Sequence, residues 1–122
     1  MIGFDQGEFL ANPTSHSLAK EGYAFIPKAC EDGDTCKVHI VFHGCQQNAA
    51  TIAMEYIENT GYNRWADSNK LIVLYPQTSS NLSSNPKGCW DWWGYDDANY
   101  YNQKGNQMAA VKAMLNRLSG SK

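Results

Sequence analysis

The sequence predicts an α/β fold with about three strands, two of them parallel, and flanking helices. Two short apolar runs, residues 37–42 and residues 71–75, carry this prediction. Both runs are nearly continuous in Val, Ile and Leu, as is typical of strands covered on both faces. The segment between them has the length and the helical content of a crossover between parallel strands.

The N-terminal part is predicted to add one strand. Residues 1–20 are interpreted as an irregular lead-in that Phe4 and Phe9 anchor to the body of the domain. Residues 22–27 have the aromatic and β-branched content of a strand, which Pro27 ends, and we expect this strand to be antiparallel. The polar residues 30–36 then predict an antiparallel hairpin connection to the first apolar run.

Three helical segments are expected. Residues 51–59 have an amphipathic pattern. A short second helix is predicted to have Asn63 as its cap and to direct Trp65 and Ala66 towards the core. The last helix, residues 103–118, has four apolar side chains at helical spacing, which we expect to face inwards: Met108, Val111, Leu115 and Leu118.

Length and composition fit one small domain spanning residues 1–122. With 43% hydrophobic and 12% aromatic residues, the chain has enough apolar surface to bury a core. The net charge is −2 and the basic residues are scattered, so we predict no nucleic-acid partner. No apolar run approaches the ~18 residues that span a bilayer, so no membrane partner is predicted either. The first residues lack the regions of a signal peptide, and we interpret the start as a fragment boundary.

The four cysteines favour two disulfides and an oxidising compartment, although composition leaves three pairings open. Metal binding is the alternative, because His39, His43 and Cys45 share one side of a strand and could be joined by Cys30 and Cys36. Their spacing matches none of the usual paired-ligand patterns. We therefore predict no metal and no cofactor.

The turn at His43, Gly44 and Cys45 is where chemistry is expected, because ligands of α/β sheets sit at the carboxyl ends of the strands. A catalytic role for His43 would need a nucleophile, and the sequence has no Gly-x-Ser-x-Gly elbow. We interpret His43 as a residue that holds the turn by hydrogen bonds. His39 is interpreted as an ordinary strand histidine.

Residues 90–95 form a dense aromatic block that includes Trp90, Trp92 and Trp93. Aromatic side chains are usually core residues. Three tryptophans within four positions, beside a glycine and a polar loop, cannot all face the same interior. We therefore expect at least one of them at the surface as a contact platform.

Four segments together resemble poly(3-hydroxybutyrate) depolymerases of the α/β-hydrolase superfamily: residues 36–47, 61–67, 71–77 and 85–95. The resemblance covers nearly the whole chain and is greater to the circularly permuted members, in which the catalytic serine, aspartate and histidine precede the His-Gly-Cys part. It implies extracellular or periplasmic hydrolysis of a polyester or small ester by a serine nucleophile.

The resemblance also implies roles for particular residues. The backbone N–H of Cys45 is implied as an oxyanion-hole donor, in a turn supported by His43 and Gly44. Four aromatic residues are implied at the substrate-binding surface: Trp90, Trp92, Trp93 and Tyr95. Sequence proximity favours a Cys30–Cys36 disulfide, which leaves Cys45 with Cys89 and ties the turn to the aromatic block.

No position corresponds to the family's serine, aspartate or histidine. We therefore expect the triad in a complementary hydrolase half outside this chain, and we expect the isolated chain to be inactive, because an oxyanion donor alone supplies no reaction path. Two other classes stay open: a surface- or polymer-binding module that uses residues 90–95, and a disulfide-stapled structural domain without a ligand. The strand at residues 37–42 is expected to lack a neighbour on one edge, which favours self-association or covering by the N-terminal segment.

Overall fold

The structure, a computed structural model, describes residues 2–33, 35–49, 57, 61–81 and 83–119. Within them, four strands form one sheet in the order β1-β2-β4-β3. The strands are β1 (Ile2–Asp5), β2 (Glu21–Phe25), β3 (Lys37–Ile40) and β4 (Leu71–Tyr75). The pair β3 and β4 is parallel and β2 runs antiparallel to β4, which confirms the predicted α/β fold.

The two apolar runs pair in register, with His39 opposite Val73 and Ile40 opposite Leu74. The ladder extends one residue beyond β3, because the Val41 N–H donates to the Leu74 carbonyl at 2.9 Å. Four of the five side chains of β4 are buried. The strand is apolar at successive positions because both of its faces are covered. The chain then leaves the sheet at Phe42.

Two predictions about the N-terminal part are wrong. The lead-in contains β1, which pairs with β2, and two short 3₁₀ turns at Gln6–Glu8 and Pro13–His16. The connection after β2 is not a hairpin, because β4 lies between β2 and β3 in the sheet. That connection begins with the short helix α1 (Lys28–Glu31) and is closed by the predicted Cys30–Cys36 disulfide.

Helix α2 (Tyr62–Asn69) packs on one face of the sheet and precedes β4. Gly61 occupies its N-cap with a φ of +83°, so Asn63 is not the cap as predicted. Ala66 is buried, but Trp65 is 54% exposed, and its predicted place in the core is wrong. The predicted helix at residues 51–59 lies outside the described residues except for Ile57, which is buried.

Helix α3 (Asn106–Ser119) packs on the other face and begins three residues later than predicted. Ala110 and Met114 are its most buried apolar residues, whereas Met108 is 48% exposed, contrary to the prediction. Val111 is buried as expected. The two faces of the sheet therefore have distinct cores. The buried core residues on the α2 side are Val41, Ile57, Ala66, Val73 and Tyr75. Those on the α3 side are Leu18, Leu74, Ala110 and Met114.

Candidate functional site

The turn after β3 is held by short hydrogen bonds. The Gly44 N–H donates to Gln47 Oε1 at 2.6 Å, and the Gln47 N–H donates to the Gly44 carbonyl at 3.2 Å. Gln46 has a φ of +63°, in the left-handed region that few side chains favour. Its N–H donates to the Lys87 carbonyl at 2.7 Å, which fixes the turn against the loop that follows β4.

The His43 side chain is 3% exposed and connects the ends of β3 and β4. Its Nε2 lies 3.2 Å from the Thr78 N–H nitrogen, which can only donate. Nδ1 therefore carries the proton and donates to the Gly44 carbonyl at 2.7 Å. Burial lowers the pKa of His43, which keeps the ring neutral, while the bond to Gly44 opposes this shift.

The Cys45 N–H, the donor implied by the resemblance, makes no hydrogen bond to any residue that the structure describes. Cys45 itself is exposed and forms the predicted disulfide with Cys89. Neighbouring N–H groups in the same turn, those of Gly44, Gln46 and Gln47, all have acceptors. An unpaired N–H in an otherwise satisfied turn is a donor available to a ligand.

The turn and the aromatic loop, residues 88–97, form one linked unit. The disulfide joins Cys45 to Cys89, and the next residue, Trp90, donates its indole N–H to the His43 carbonyl at 3.2 Å. The Trp90 and His43 rings are 5.5 Å apart. Trp90 also meets Phe42 edge to face, with ring centroids 5.1 Å apart. These contacts tie the aromatic loop to both sides of the turn.

The predicted aromatic surface residues divide into two groups. Trp92 and Trp93 are 68% and 44% exposed, and their rings meet edge to face at 5.1 Å. Trp90 is partly buried against the α3-side core. Tyr95 is also partly buried, and its hydroxyl donates to the Cys89 carbonyl at 2.7 Å. The exposed surface therefore consists of Trp92 and Trp93, and Trp90 and Tyr95 anchor the loop beneath it.

Asp91 is central to this loop, and the sequence analysis did not single it out. Its carboxylate accepts four backbone N–H groups, from Gly94, Tyr95, Asp96 and Asp97, at 2.7, 3.0, 3.2 and 3.1 Å. The available signal was an aspartate three residues before a glycine, because aspartate side chains commonly accept N–H groups of the residues that follow. Gly94 has a φ of +88°, which suits the reversal of the chain.

Gln107, on α3, connects the aromatic loop to the helix and was also missed. Its Oε1 accepts the Asp91 N–H at 2.8 Å, and its Nε2 donates to the Tyr95 hydroxyl at 2.7 Å. Burial raises the pKa of Tyr95 to about 12, so the hydroxyl stays protonated at neutral pH. A buried glutamine on a helix gives no sequence signal for such a role.

A pocket of about 270 Å³ lies between the end of β3, the aromatic loop and the start of α3. Its walls are mostly apolar and include Phe42, Trp90, Met108 and Val111. Phe42 is 51% exposed there. In the described part of the chain, no three His, Cys, Asp or Glu side chains come together as metal ligands, and no helix is long and apolar enough to cross a bilayer.

Comparison with known proteins gives the family. Residues 22–122 match the family described as Esterase PHB depolymerase. The chain belongs to the esterase PHB depolymerase family. This finding agrees with the resemblance of the turn and the aromatic block noted from the sequence.

Individual relatives of this family cover nearly all of the chain. It is 52% identical over 120 residues to a poly(3-hydroxybutyrate) depolymerase of Delftia acidovorans, an alignment that covers 97% of the chain and 23% of that protein. It is 40% identical over 115 residues to a polyhydroxybutyrate depolymerase of Talaromyces funiculosus, covering 85% of the chain and 34% of that protein. The chain thus spans about a quarter to a third of the length of these relatives.

Solved structures of PHB depolymerases share the fold of the chain. The crystal structure of a PHB depolymerase from Penicillium funiculosum matches with a TM-score of 0.89 at 35% identity, covering 99% of this chain and 41% of that one. A serine-to-alanine variant of a PHB depolymerase complexed with an R3HB trimer also matches with a TM-score of 0.89, at 37% identity and the same coverage. The sheet and its flanking helices therefore correspond to part of an α/β-hydrolase fold of this family.

Proposed function

We propose that this chain is the oxyanion-hole and substrate-surface part of a poly(3-hydroxybutyrate) depolymerase, a carboxylic ester hydrolase whose Ser-Asp-His triad lies outside the chain. The observation that carries the proposal is the Cys45 N–H, which has no acceptor among the described residues although the N–H groups of Gly44, Gln46 and Gln47 all have one. The curated relatives are depolymerases of poly(3-hydroxybutyrate) or polyhydroxybutyrate, which supports a polyester or a short ester as the substrate. The two disulfides support an extracellular or periplasmic location.

The chemistry assigned to Cys45 is stabilisation of negative charge. When a serine attacks an ester carbonyl, the carbonyl oxygen becomes an oxyanion, and preorganised N–H donors stabilise it more than they stabilise the substrate. Losing one such donor typically costs ~3–4 kcal/mol of barrier. The rigid turn keeps the Cys45 N–H in place before the reaction, and His43 and Gly44 support that turn.

The geometry of the histidines supports a triad outside the chain. His43 cannot act as the base in this arrangement, because its Nε2 already accepts the Thr78 N–H. His16 lies 2.7 Å from Asp96, but the adjacent Ser17 is only 2% exposed. In the ranges that the structure describes, no serine is therefore presented to a histidine as an accessible nucleophile.

The outer edge of β3 is the proposed contact with the complementary hydrolase half. Within the described residues β3 pairs only with β4, and the N-terminal β1 pairs at the opposite edge of the sheet. An unpaired strand edge is a template for pairing with another chain. We propose that the edge of β3 receives a strand of the half that carries the triad, and that two copies associate through it when that half is absent.

A chimeric enzyme tests the proposal. The segment of the Talaromyces funiculosus depolymerase that matches this chain is replaced by the chain, and hydrolysis of poly(3-hydroxybutyrate) and of R3HB trimer is measured. We expect an active chimera and an inactive isolated chain. In Gly44→Val an added Cβ would lie 2.7 Å from Gln47 Oε1, so the Gln47 side chain must move and lose its hydrogen bond from the Gly44 N–H. This variant should lower kcat, whereas Ala11→Val at an exposed site should not. Ester hydrolysis by the isolated chain that a serine-directed reagent blocks would contradict the proposal.

A binding module without catalysis is the second candidate, favoured by the exposure of Trp92 and Trp93. It predicts that the isolated chain adsorbs to polyester film and that a folded chimera is inactive. Adsorption of the chain together with an active chimera supports the depolymerase instead.

A further inference from the structure

We infer that Asp91 is a positioning residue that fixes Trp92 and Trp93 as a rigid contact surface at a set distance from the oxyanion turn. The inference rests on the proposed function, because it concerns the aromatic surface assigned to the polyester. Asp91 itself is not a contact residue in this proposal. It acts through the backbone of the loop that carries the two tryptophans.

The loop closes around the Asp91 carboxylate. One oxygen accepts the N–H groups of Gly94 and Tyr95, and the other accepts those of Asp96 and Asp97. Trp92 and Trp93 lie inside this closed segment, between the carboxylate and the residues it binds. Their backbone therefore cannot rotate freely without breaking bonds to Asp91.

Packing alone does not hold the two tryptophans. Both are exposed, and within the described residues their rings contact each other at 5.1 Å, and the Trp93 ring contacts Tyr95 at 4.9 Å. Neighbouring residues cover only part of Trp93 and less of Trp92, so the order of both also depends on the backbone that carries them. Hydrogen bonds to an ionised acceptor are the stronger kind, and Asp91 supplies four of them to this backbone.

Asp91 also sets where the surface lies. Its own N–H is held by Gln107 of α3, and the residue before it, Trp90, is bonded to the His43 carbonyl in the turn. The turn that carries the Cys45 N–H is thus linked to the loop that carries Trp92 by a disulfide and by a hydrogen bond from the Trp90 indole. A polymer chain lying on Trp92 and Trp93 would meet a surface that needs no ordering on binding, and such preorganisation favours affinity.

Two readouts on the 122-residue chain test the inference. The first is adsorption to poly(3-hydroxybutyrate) film, and the second is the exciton signal in circular dichroism from the adjacent indoles of Trp92 and Trp93. The variants are Asp91→Ala and Asp91→Asn, with Trp92→Ala as the reference and Asp67→Asn, at an exposed site on α2, as the matched control. Thermal unfolding is followed for each variant.

We expect Trp92→Ala to weaken adsorption about tenfold or more, as truncation of an aromatic anchor does. Asp91→Ala should approach that loss and reduce the exciton signal although both indoles remain. Asp91→Asn, which keeps one acceptor oxygen, should lie between Asp91→Ala and the unchanged chain. Asp67→Asn should leave both readouts unchanged. A merely structural role would lower the unfolding temperature without changing either readout below the transition.

The failures are distinguishable. If Asp91→Asn and Asp91→Ala leave the exciton signal and the adsorption unchanged while Trp92→Ala weakens adsorption, Asp91 does not position the surface. If Trp92→Ala adsorbs as well as the unchanged chain, the proposed polyester surface is wrong. In that second case the exciton signal of the Asp91 variants still decides whether Asp91 positions the tryptophans. Should Asp91→Ala fail to fold, Asp91→Asn carries the same test.

Discussion

Replacing His43 by alanine should destabilise the fold more than its size suggests. The His43 ring is the acceptor for the Thr78 N–H, and Thr78 is fully buried. A buried donor that loses its acceptor costs about 1–3 kcal/mol. Loss of the ring contact with Trp90, at 5.5 Å, adds about 0.5–1.5 kcal/mol. We therefore expect His43→Ala to lower the free energy of unfolding by about 2–4 kcal/mol.

The same variant should remove a pH dependence. Burial lowers the pKa of His43 below its usual 6.5, so near that pH the unfolded state binds more protons than the folded state. The stability that neutral His43 contributes is fully present above pH 6.5 and is lost as the pH falls towards the folded pKa. The physical cause is that protonation of Nε2 would turn the acceptor of the Thr78 N–H into a donor. His43→Ala cannot show this loss.

The assay is urea unfolding followed by tryptophan fluorescence at several pH values between 8 and 5. The quantity compared is the difference in unfolding free energy between the unchanged chain and His43→Ala, since other titrating groups are common to both. His39→Ala is the control, because His39 is partly exposed and its ring contact is with Tyr62 at 5.3 Å. A difference that stays constant or grows as the pH falls would refute the assignment of a neutral, accepting His43.

Three further outcomes are expected from unfolding measurements. Gln46 has a φ of +63°, so Gln46→Val should cost about 1 kcal/mol because β-branching adds to the strain that the residue already bears, whereas Gln46→Gly should be close to neutral or stabilising; equal costs would show that the turn is not constrained there. Replacing the Cys45–Cys89 pair by alanines should cost about 1–2 kcal/mol more than replacing the Cys30–Cys36 pair, because the sequence separations are 44 and 6. Burial raises the pKa of Tyr95 to about 12, so stability should fall as the pH rises from 10 towards 12, and Tyr95→Phe should reduce that alkaline loss but not remove the part due to Tyr23, whose pKa is also raised by burial.

The strands were predictable where burial alone determines them. The runs that became β3 and β4 are apolar because the sheet is covered on both faces, and that cover leaves a local signal. The edge strand β1 was missed because it has four residues, of which none is fully buried, and its partner β2 lies well beyond it in the sequence. An edge strand of this kind is defined by its pairing rather than by its composition.

The rotation of α3 shows a limit of periodicity. Spacing of 3.6 residues fits an apolar face through Met108 and Leu115 as well as one through Ala110 and Met114, since Val111 lies near both. The structure selects the second, in which Ala110 and Met114 are buried in one cluster with Leu74 of β4. Trp65 on α2 shows the same limit, because the pattern placed it beside buried Ala66 but consecutive residues of a helix point about 100° apart.

For the candidate site, the sequence predicted the covalent links better than the polar ones. Cysteine pairing follows from four residues and one short spacing, so the tie between the turn and the aromatic loop could be predicted. Thr78, which holds His43, lies 35 positions away, and Gln107 lies 16 positions from Asp91. Hydrogen bonds between such distant side chains and backbone groups depend on the folded geometry and leave no pattern in the sequence.

The turn and the edge of β3 that stays unpaired in the described part of the chain together constrain how a nucleophile could arrive in the proposed enzyme. The Cys45 N–H follows the carboxyl end of β3, and parallel strands end at the same side of a sheet. A strand that pairs parallel to β3 and ends in a serine would deliver that serine beside the turn. An antiparallel strand would end at the other side, about 13 Å away for four residues at ~3.3 Å each, beyond the reach of an oxyanion contact. The complementary strand must therefore pair parallel to β3, and the contacts of His43 with the β4 side keep the turn in place for it.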